Sequence, residues 1–125
     1  MTQEEKDLLL KDLCARLPYG VICKDTNINV TGTLSQIGLH YDMCVLDKDN
    51  GDSESCYILN CKPYLIPMSS MTEEQEKEYL NTCNGYCTYY WTEETFDWLN
   101  KNHFDYRGLI PMGLALDATN LNIYE

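Results

Sequence analysis

The fold is decided by residues 28–43, which read INVTGTLSQIGLHYDM. Apolar residues or glycine occupy every second position over residues 28–34, and the alternation resumes in the opposite phase over residues 37–43. A period of two is typical of β-strands, and a change of phase means that the pairing slips by one residue. We therefore predict a bulge, bend or turn around Ser35–Gln36.

Strand signals continue on both sides of this stretch. Residues 47–52 read DKDNGD, and their Asn-Gly pair suits the positive φ angles of a hairpin turn. This turn predicts a hairpin between strands near residues 43–46 and 56–59. With further strands at residues 19–23 and 64–66, we expect about five short antiparallel strands. Their order resembles that of small SH3-like or Sm-like barrels.

Three threonines signal helix starts. Thr2, Thr72 and Thr92 each stand shortly before glutamates, so the hydroxyl can cap free backbone N–H groups while the carboxylates lie in the positive first turn. The first two starts contain a capping box, with Glu5 and Gln75 at the third helical position. The third start is expected to lack a capping box.

Residue spacing predicts the buried face of each helix. The third helix begins with a hydrophobic staple, in which Trp91 precedes the cap and Phe96 lies inside the first turns. Pro18 ends the first helix, and Asn84-Gly85 is expected to end the second. The predicted buried faces are Leu9, Leu10, Leu13, Cys14 and Leu17 in the first helix, Tyr79, Leu80 and Cys83 in the second, and Phe96, Leu99 and His103 in the third.

These patterns together predict a single α+β domain over residues 1–125, a length that supports one hydrophobic core. Residues 1–17 form a helix and residues 18–67 form the strand region. Residues 68–125 form two further helices and an ordered C-terminal tail. The strands are expected to make a small twisted sheet or barrel of SH3-like or Sm-like topology.

The charge balance disfavours two classes of partner. Nine Lys plus Arg against 20 Asp plus Glu give a net charge of −11, which repels phosphate backbones and anionic lipid surfaces. The apolar runs are far shorter than the roughly 20 residues that span a bilayer. We therefore expect no nucleic-acid partner, no membrane association and a cytoplasmic location.

The seven cysteines are expected to be reduced, free thiols. Their number is odd, and residues 1–6 do not resemble a secretion signal, which favours a reducing compartment. Cys56 and Cys61 would point to opposite faces of a strand, and Cys83 and Cys87 also lack the spacing of a zinc knuckle. With two histidines in an acidic chain, a catalytic thiol is not favoured either. We predict no metal and no cofactor.

Large amphipathic side chains crowd into residues 91–107, beside the end of the third predicted helix. Aromatic residues and arginine are enriched in binding hot spots. The predicted binding residues are Tyr89, Tyr90, Trp91, Trp98, Asp105, Tyr106 and Arg107. Two other interpretations stay open: the rings fill a small core, or Arg107 clamps local carboxylates or carbonyls in a turn. We expect Tyr106 and Arg107 to face outward, and His103 and Phe104 to face inward.

Three blocks of sequence stand out: KDLCARLPYGV at residues 11–21, KPYLIPMSSMTEE at residues 62–74, and WLN, HFDYRGLI and GLAL within residues 98–116. Together they resemble a family of small uncharacterised proteins encoded by phages and prophages of gut anaerobic bacteria. The resemblance implies a phage-encoded product made inside a bacterial host. The family has no assigned activity, so no functional residue is carried over from it.

Three functions are compatible with these patterns. We predict a non-enzymatic protein-interaction module that acts on a host or phage protein in the bacterial cytosol. Mimicry of nucleic acid toward a basic protein, by carboxylates interleaved with aromatics, is a separate hypothesis that stays open. One alternative is a protein that binds or sequesters a small nucleotide-like ligand through Trp91, Tyr106 and Arg107. Another is an enzyme of unknown reaction that uses His103 and Asp105 as an acid–base couple. A flat exposed aromatic patch would favour the first function, and a concave pocket the second.

Overall fold

The computed structural model describes residues 1–38, 42–83 and 91–124. Within these ranges the elements are α1 (Gln3–Arg16), β1 (Ile22–Asp25), β2 (Val30–Gly38), β3 (Met43–Asp47), β4 (Ser53–Tyr57), β5 (Cys61–Leu65), α2 (Glu73–Thr82), α3 (Glu93–Lys101) and β6 (Leu116–Asp117). The predicted α+β class, with an N-terminal helix before the strands and two helices after them, is confirmed. None of the helices in the described ranges has the length and apolar character needed to cross a bilayer.

The strands form one mixed sheet in the order β4-β3-β2-β1-β5-β6. The pairs from β4 to β5 are antiparallel, as predicted, whereas β6 lies parallel to β5. β6 was not predicted, because a strand of two residues has no detectable period. The described part of the sheet ends at β4 on one side and at β6 on the other, so it is not closed into a barrel.

The predicted irregularity in the second strand is confirmed. The register between β2 and β3 shifts between Leu34 and Gln36, so Ser35 is the extra residue of a β-bulge. Close contact with β3 also requires Gly32, since a Cβ atom there would lie 2.6 Å from the carbonyl oxygen of Asp47. The hairpin between β3 and β4 is confirmed as well, and Gly51 adopts a φ of 90° in its turn. Its second strand was predicted at residues 56–59 but covers Ser53–Tyr57, and a 3₁₀ turn follows at Ile58–Asn60.

Buried apolar residues form two clusters. The larger one includes residues from α1, the strands and the C-terminal segment: Leu9, Leu13, Val21, Cys23, Leu34, Cys44, Leu46, Cys56, Ile58, Cys61, Leu65, Leu109, Leu114 and Ala115. The smaller one contains Tyr79, Cys83, Leu99 and Phe104, from α2, α3 and the residues that follow them. A parallel bridge between Ile66 and Phe104 joins the end of β5 to the residues after α3.

All three helices begin at the predicted threonines. The capping boxes of α1 and α2 are confirmed. The prediction that α3 lacks one is wrong: Thr92 N–H donates to Thr95 Oγ1 at 3.1 Å, and Thr95 N–H donates to Thr92 Oγ1 at 3.2 Å. A second threonine hydroxyl can therefore take the place of the usual Glu or Gln side chain.

Three side chains assigned to buried helix faces are exposed. Leu80 is 39% exposed, Phe96 is 41% exposed, and Cys14 is also exposed. Leu80 and Cys14 each follow a buried residue, and a step of one residue turns a side chain by about 100° around the helix axis. His103 is buried as expected, but it lies beyond the end of α3 with a φ of 63°.

Candidate interaction surface

Four aromatic side chains near α3 form the candidate site: Trp91, Phe96, Trp98 and Tyr106. We call this group the aromatic face. Trp91, Phe96 and Tyr106 contact one another edge to face, with ring centroids 5.4 to 5.9 Å apart. Such pairs contribute roughly 0.5–1.5 kcal/mol each beyond the area they bury. Phe96 is nevertheless 41% exposed, so a large apolar ring that Trp91 and Tyr106 hold in place is in contact with solvent.

Trp98 extends the aromatic face toward the smaller core cluster. Its ring stacks on the buried Phe104 with centroids 5.5 Å apart and planes 12° apart. A second contact, with Tyr79 at 6.1 Å, connects Trp98 to α2. Trp98 therefore has one side fixed by the core while the side chain remains partly accessible.

The start of α3 holds the aromatic face in place. The predicted staple is confirmed by the contact between Trp91 and Phe96, and Trp91 Nε1 also donates to the hydroxyl of Tyr79 at 2.7 Å. The hydroxyls of Thr92 and Thr95 both donate to the carbonyl oxygen of Thr82, at 3.0 and 3.2 Å. These bonds tie the first turn of α3 to the last turn of α2.

A buried ionic network lies beneath Tyr106. Asp12 accepts hydrogen bonds from Arg16 Nε at 2.9 Å and from Arg107 Nε at 3.2 Å. Arg16 also donates to the carbonyl oxygen of Phe104 at 2.6 Å. Both guanidinium groups lie over the ring of Tyr106, at 5.3 Å for Arg16 and 4.8 Å for Arg107. The side chains of Asp12 and Arg16 are fully buried.

This network fixes the position of Tyr106. The Tyr106 hydroxyl donates to Asn100 Oδ1 at 3.0 Å and accepts from Arg107 Nη2 at 2.9 Å. Arg107 retains only 18% side-chain exposure, and its Nε and Nη2 atoms donate to Asp12 and Tyr106. The carboxylate that Arg107 contacts is therefore not a local one in its turn, as the clamp interpretation held, but Asp12 of α1, 95 residues earlier. Tyr106 and Arg107 are partly buried in this network rather than facing fully outward.

Carboxylates border the aromatic face. Trp98 Nε1 donates to Glu78 at 3.3 Å, and Glu93, Glu94 and Asp97 are exposed on the same helix as Phe96. In a chain with a net charge of −11, these carboxylates favour contact with a positively charged surface.

The remaining predicted binding residues lie elsewhere. Asp105 is 7% exposed, and its two carboxylate oxygens accept the backbone N–H groups of Leu109 at 2.8 Å and Ile110 at 2.9 Å. This carboxylate stabilises a turn inside the protein. Tyr89 and Tyr90 fall outside the described residues.

His103 is positioned apart from Asp105. Its imidazole stacks on the ring of Tyr124, with centroids 3.7 Å apart, and it is 7% exposed. Burial, followed by the nearby positive charge of Arg16, lowers the pKa of His103 from 6.5 to about 4. Within the described residues no hydrogen bond links His103 to Asp105, so the structure gives no support to an acid–base couple. The predicted inward orientation of His103 and Phe104 is confirmed.

Four cysteines share the core face of the sheet, which corrects the prediction that Cys56 and Cys61 point in opposite directions. A 3₁₀ turn at Ile58–Asn60 separates them, so the simple alternation of a strand does not apply. Cys44 lies opposite Cys56, while Cys23 and Cys61 are fully buried. Burial, with the neighbouring Asp25, raises the pKa of Cys56 to about 12. All four cysteines belong to the larger buried cluster, where they pack as small apolar side chains.

The described part of the chain contains cavities but no cluster of metal ligands. No group of three or more potential ligands is arranged there to hold a metal ion. A cavity of about 390 Å³ lies between β5, α2, α3 and the C-terminal segment, and a second of about 200 Å³ lies beside the bulge in β2. Neither is lined by Trp91, Tyr106 or Arg107.

The ionic pair under the aromatic face was not predicted from the sequence. Asp12 and Arg16 are four residues apart, and they share a helix face with the buried Leu9 and Leu13. Two opposite charges four residues apart within an apolar helix face were the pattern that could have predicted this buried pair. The large cavity had no comparable signal, because its lining residues come from four separate segments.

Comparison of the chain with protein-family models, with curated proteins and with solved structures gives no match.

Proposed function

We propose that this chain is a non-enzymatic protein-interaction module whose aromatic face binds a basic host or phage protein in the bacterial cytosol. The observation that carries the proposal is the exposure of Phe96, which is 41% accessible although Trp91 and Tyr106 hold its ring in place. An exposed aromatic ring on a rigid base loses little conformational entropy on binding, which is a property of interface anchors.

Charge supports a basic partner. Lysine and arginine side chains interact favourably with aromatic rings, and the border of Glu78, Glu93, Glu94 and Asp97 adds Coulomb attraction. The net charge of −11 would also steer such a partner during encounter. This attraction is expected to fall as added salt screens the charges.

The two alternative functions receive less support at the predicted residues. A small-ligand site at Trp91, Tyr106 and Arg107 would require a concave pocket, and these residues line neither of the two cavities. An enzyme based on His103 and Asp105 would require a free carboxylate, whereas Asp105 is bonded to two backbone N–H groups.

A second proposal concerns the topology of the sheet. We infer that the open sheet is an SH3-like or Sm-like arrangement. The bulged β2 and the pairing of β1 with both β2 and β5 support this inference.

Substitution of Phe96 tests the proposed surface. Phe96→Ala should weaken binding of the purified partner by about 2 kcal/mol per folded molecule, on the hot-spot scale. The loss of its contacts with Trp91 and Tyr106 should also lower stability by about 1–3 kcal/mol, so binding is measured well below the melting temperature of the variant. Leu80→Ala is the matched control, since Leu80 is similarly exposed at 39% on the neighbouring helix α2. Tyr106 and Arg107 are unsuitable for this purpose, because both belong to the network around Asp12.

The experiment begins with capture of partners from host lysate, followed by purification and titration at low and moderate salt. The proposal expects a basic partner, a dissociation constant that rises with salt, and a loss confined to Phe96→Ala. An acidic partner, or equal losses for Phe96→Ala and Leu80→Ala, would contradict it.

A further inference from the structure

The hairpin of β3 and β4 places two cysteines directly opposite each other. Cys44 and Cys56 are partners in the register of these antiparallel strands, and they are 1% and 2% exposed. Both belong to the larger buried cluster, so their side chains lie on the same face of the sheet. We call them the cysteine pair.

Backbone hydrogen bonds at both ends of the hairpin fix the spacing of the cysteine pair. Lys48 N–H donates to the carbonyl oxygen of Asp52 at 2.8 Å, and Ile58 N–H donates to the carbonyl oxygen of Asp42 at 2.8 Å. Hydrogen-bonded pairs recur at every second position of an antiparallel ladder, so both bonds place the two cysteines in such a pair. Its Cα atoms are roughly 5.5 Å apart, within the range of roughly 4.4–6.8 Å that disulfides require. A bridge can therefore form while the strands stay paired.

The two thiols are unreactive while the hairpin is closed. The neighbouring thiol of Cys61, together with burial, raises the pKa of Cys44 above its usual range. Burial, with the neighbouring Asp25, raises the pKa of Cys56 to about 12. The thiolate is the form that attacks a disulfide, so oxidation of either thiol requires the hairpin to open.

The strand of this hairpin that opens most readily is β4. Cys56 is its one buried residue, whereas Ser53, Ser55 and Tyr57 are exposed. A strand with few buried contacts opens locally at a lower free energy than the strands of the core. Local opening of β4 brings the Cys56 thiol into water, where it can ionise and meet a small reagent.

We propose that the cysteine pair is a redox-sensitive switch, in which a low-molecular-weight disulfide such as glutathione disulfide oxidises Cys44 and Cys56 to a bridge. The exposed Cys56 thiolate attacks one sulfur of the reagent, which forms a mixed disulfide and releases one reagent thiol. When β4 closes, the Cys44 thiolate attacks the Cys56 sulfur, which forms the bridge and releases the second reagent thiol. The cysteine pair loses two electrons and two protons, and the reagent takes them up as it becomes two thiols.

The bridge joins β4 to β3, so the oxidised protein can no longer open this strand. Incubation of the purified full chain with glutathione disulfide, followed by peptide mapping, tests the proposal. We expect one intramolecular bridge, between Cys44 and Cys56; proteolytic cleavage after Tyr57 separates Cys56 from Cys61 and so identifies the partner. Amide hydrogen exchange in β4 should slow by about tenfold or more in the bridged protein, and excess dithiol should reverse the change.

Cys61→Ala is the matched control, because Cys61 is a buried thiol of the same cluster and a neighbour of Cys44. It should keep the bridge and the slower exchange, whereas Cys56→Ala should lose both. The proposal is overturned if the wild-type chain forms no intramolecular bridge, if Cys44 is joined to Cys61 instead, or if exchange in β4 is unchanged by oxidation. Mapping of the wild-type chain decides the first two outcomes even where a variant fails to fold.

Discussion

The buried carboxylate of Asp12 gives the sharpest test of how the domain is held together. Asp12→Asn keeps the shape of the side chain but removes the charge that faces Arg16 and Arg107. Arg16 is fully buried, so its positive charge would lose its ionic partner without access to water. Breaking a buried ion pair in this way costs about 3–5 kcal/mol. Arg107 adds less, because its side chain is 18% exposed and partly screened.

We expect Asp12→Asn to lose about 3 kcal/mol or more, a large part of the roughly 5–15 kcal/mol that stabilises a typical domain. Urea titration can measure this loss, with the fluorescence of Trp91 and Trp98 and far-ultraviolet circular dichroism as independent probes. Asp7→Asn is the control, since Asp7 is exposed on the same helix and should change stability by at most about 0.5 kcal/mol. If Asp12→Asn stays within about 1 kcal/mol of the wild type, the ionic network does not stabilise the fold as argued.

Two further predictions follow from single residues. Folding lowers the pKa of His103 from 6.5 to about 4, so between pH 6.5 and pH 4 the unfolded chain binds more protons than the folded one. The free energy of unfolding should therefore decrease by about 3 kcal/mol as the pH is lowered from 6.5 to 4. His103→Asn, which tolerates the positive φ, should flatten this dependence in urea titrations from pH 4 to 7; an unchanged slope would exclude His103 as its source. Gly32→Ala should cost about 2 kcal/mol or more in thermal or urea unfolding, since its Cβ would lie 2.6 Å from a backbone oxygen. Gly38→Ala has its nearest neighbour at an ordinary 3.6 Å and should be far milder, so equal effects would show that β3 moves aside.

Local signals predicted most of the fold. The phase change at Ser35 located the bulge in β2, and Asn50-Gly51 located the hairpin, because both are effects of neighbouring residues on backbone geometry. The three threonine caps located the helix starts for the same reason. β6 could not be found in this way, since it forms only through pairing with a distant strand.

The candidate sites were less predictable. The sequence indicated that Trp91, Trp98 and Tyr106 belong to one region, but it wrongly placed Phe96, the exposed ring among them, on a buried helix face. Exposure depends on how α2 and α3 pack, which is a property of the tertiary structure. The cavity of about 390 Å³ depends even more on tertiary contacts, because its walls are far apart in sequence.

The pairing of β6 with β5 has a consequence for the folding of this protein during synthesis on the ribosome. Tyr124, next to this short strand, bonds to Tyr64, 60 residues earlier, and to Ile22, 102 residues earlier. During synthesis β5 therefore emerges well before the segment that covers its outer edge. An uncovered strand edge is a template for pairing with other chains, and contacts between distant residues form slowly. We therefore expect β5 to present an unpaired edge until residues 116–124 have been synthesised, a hazard that is absent once the domain has folded.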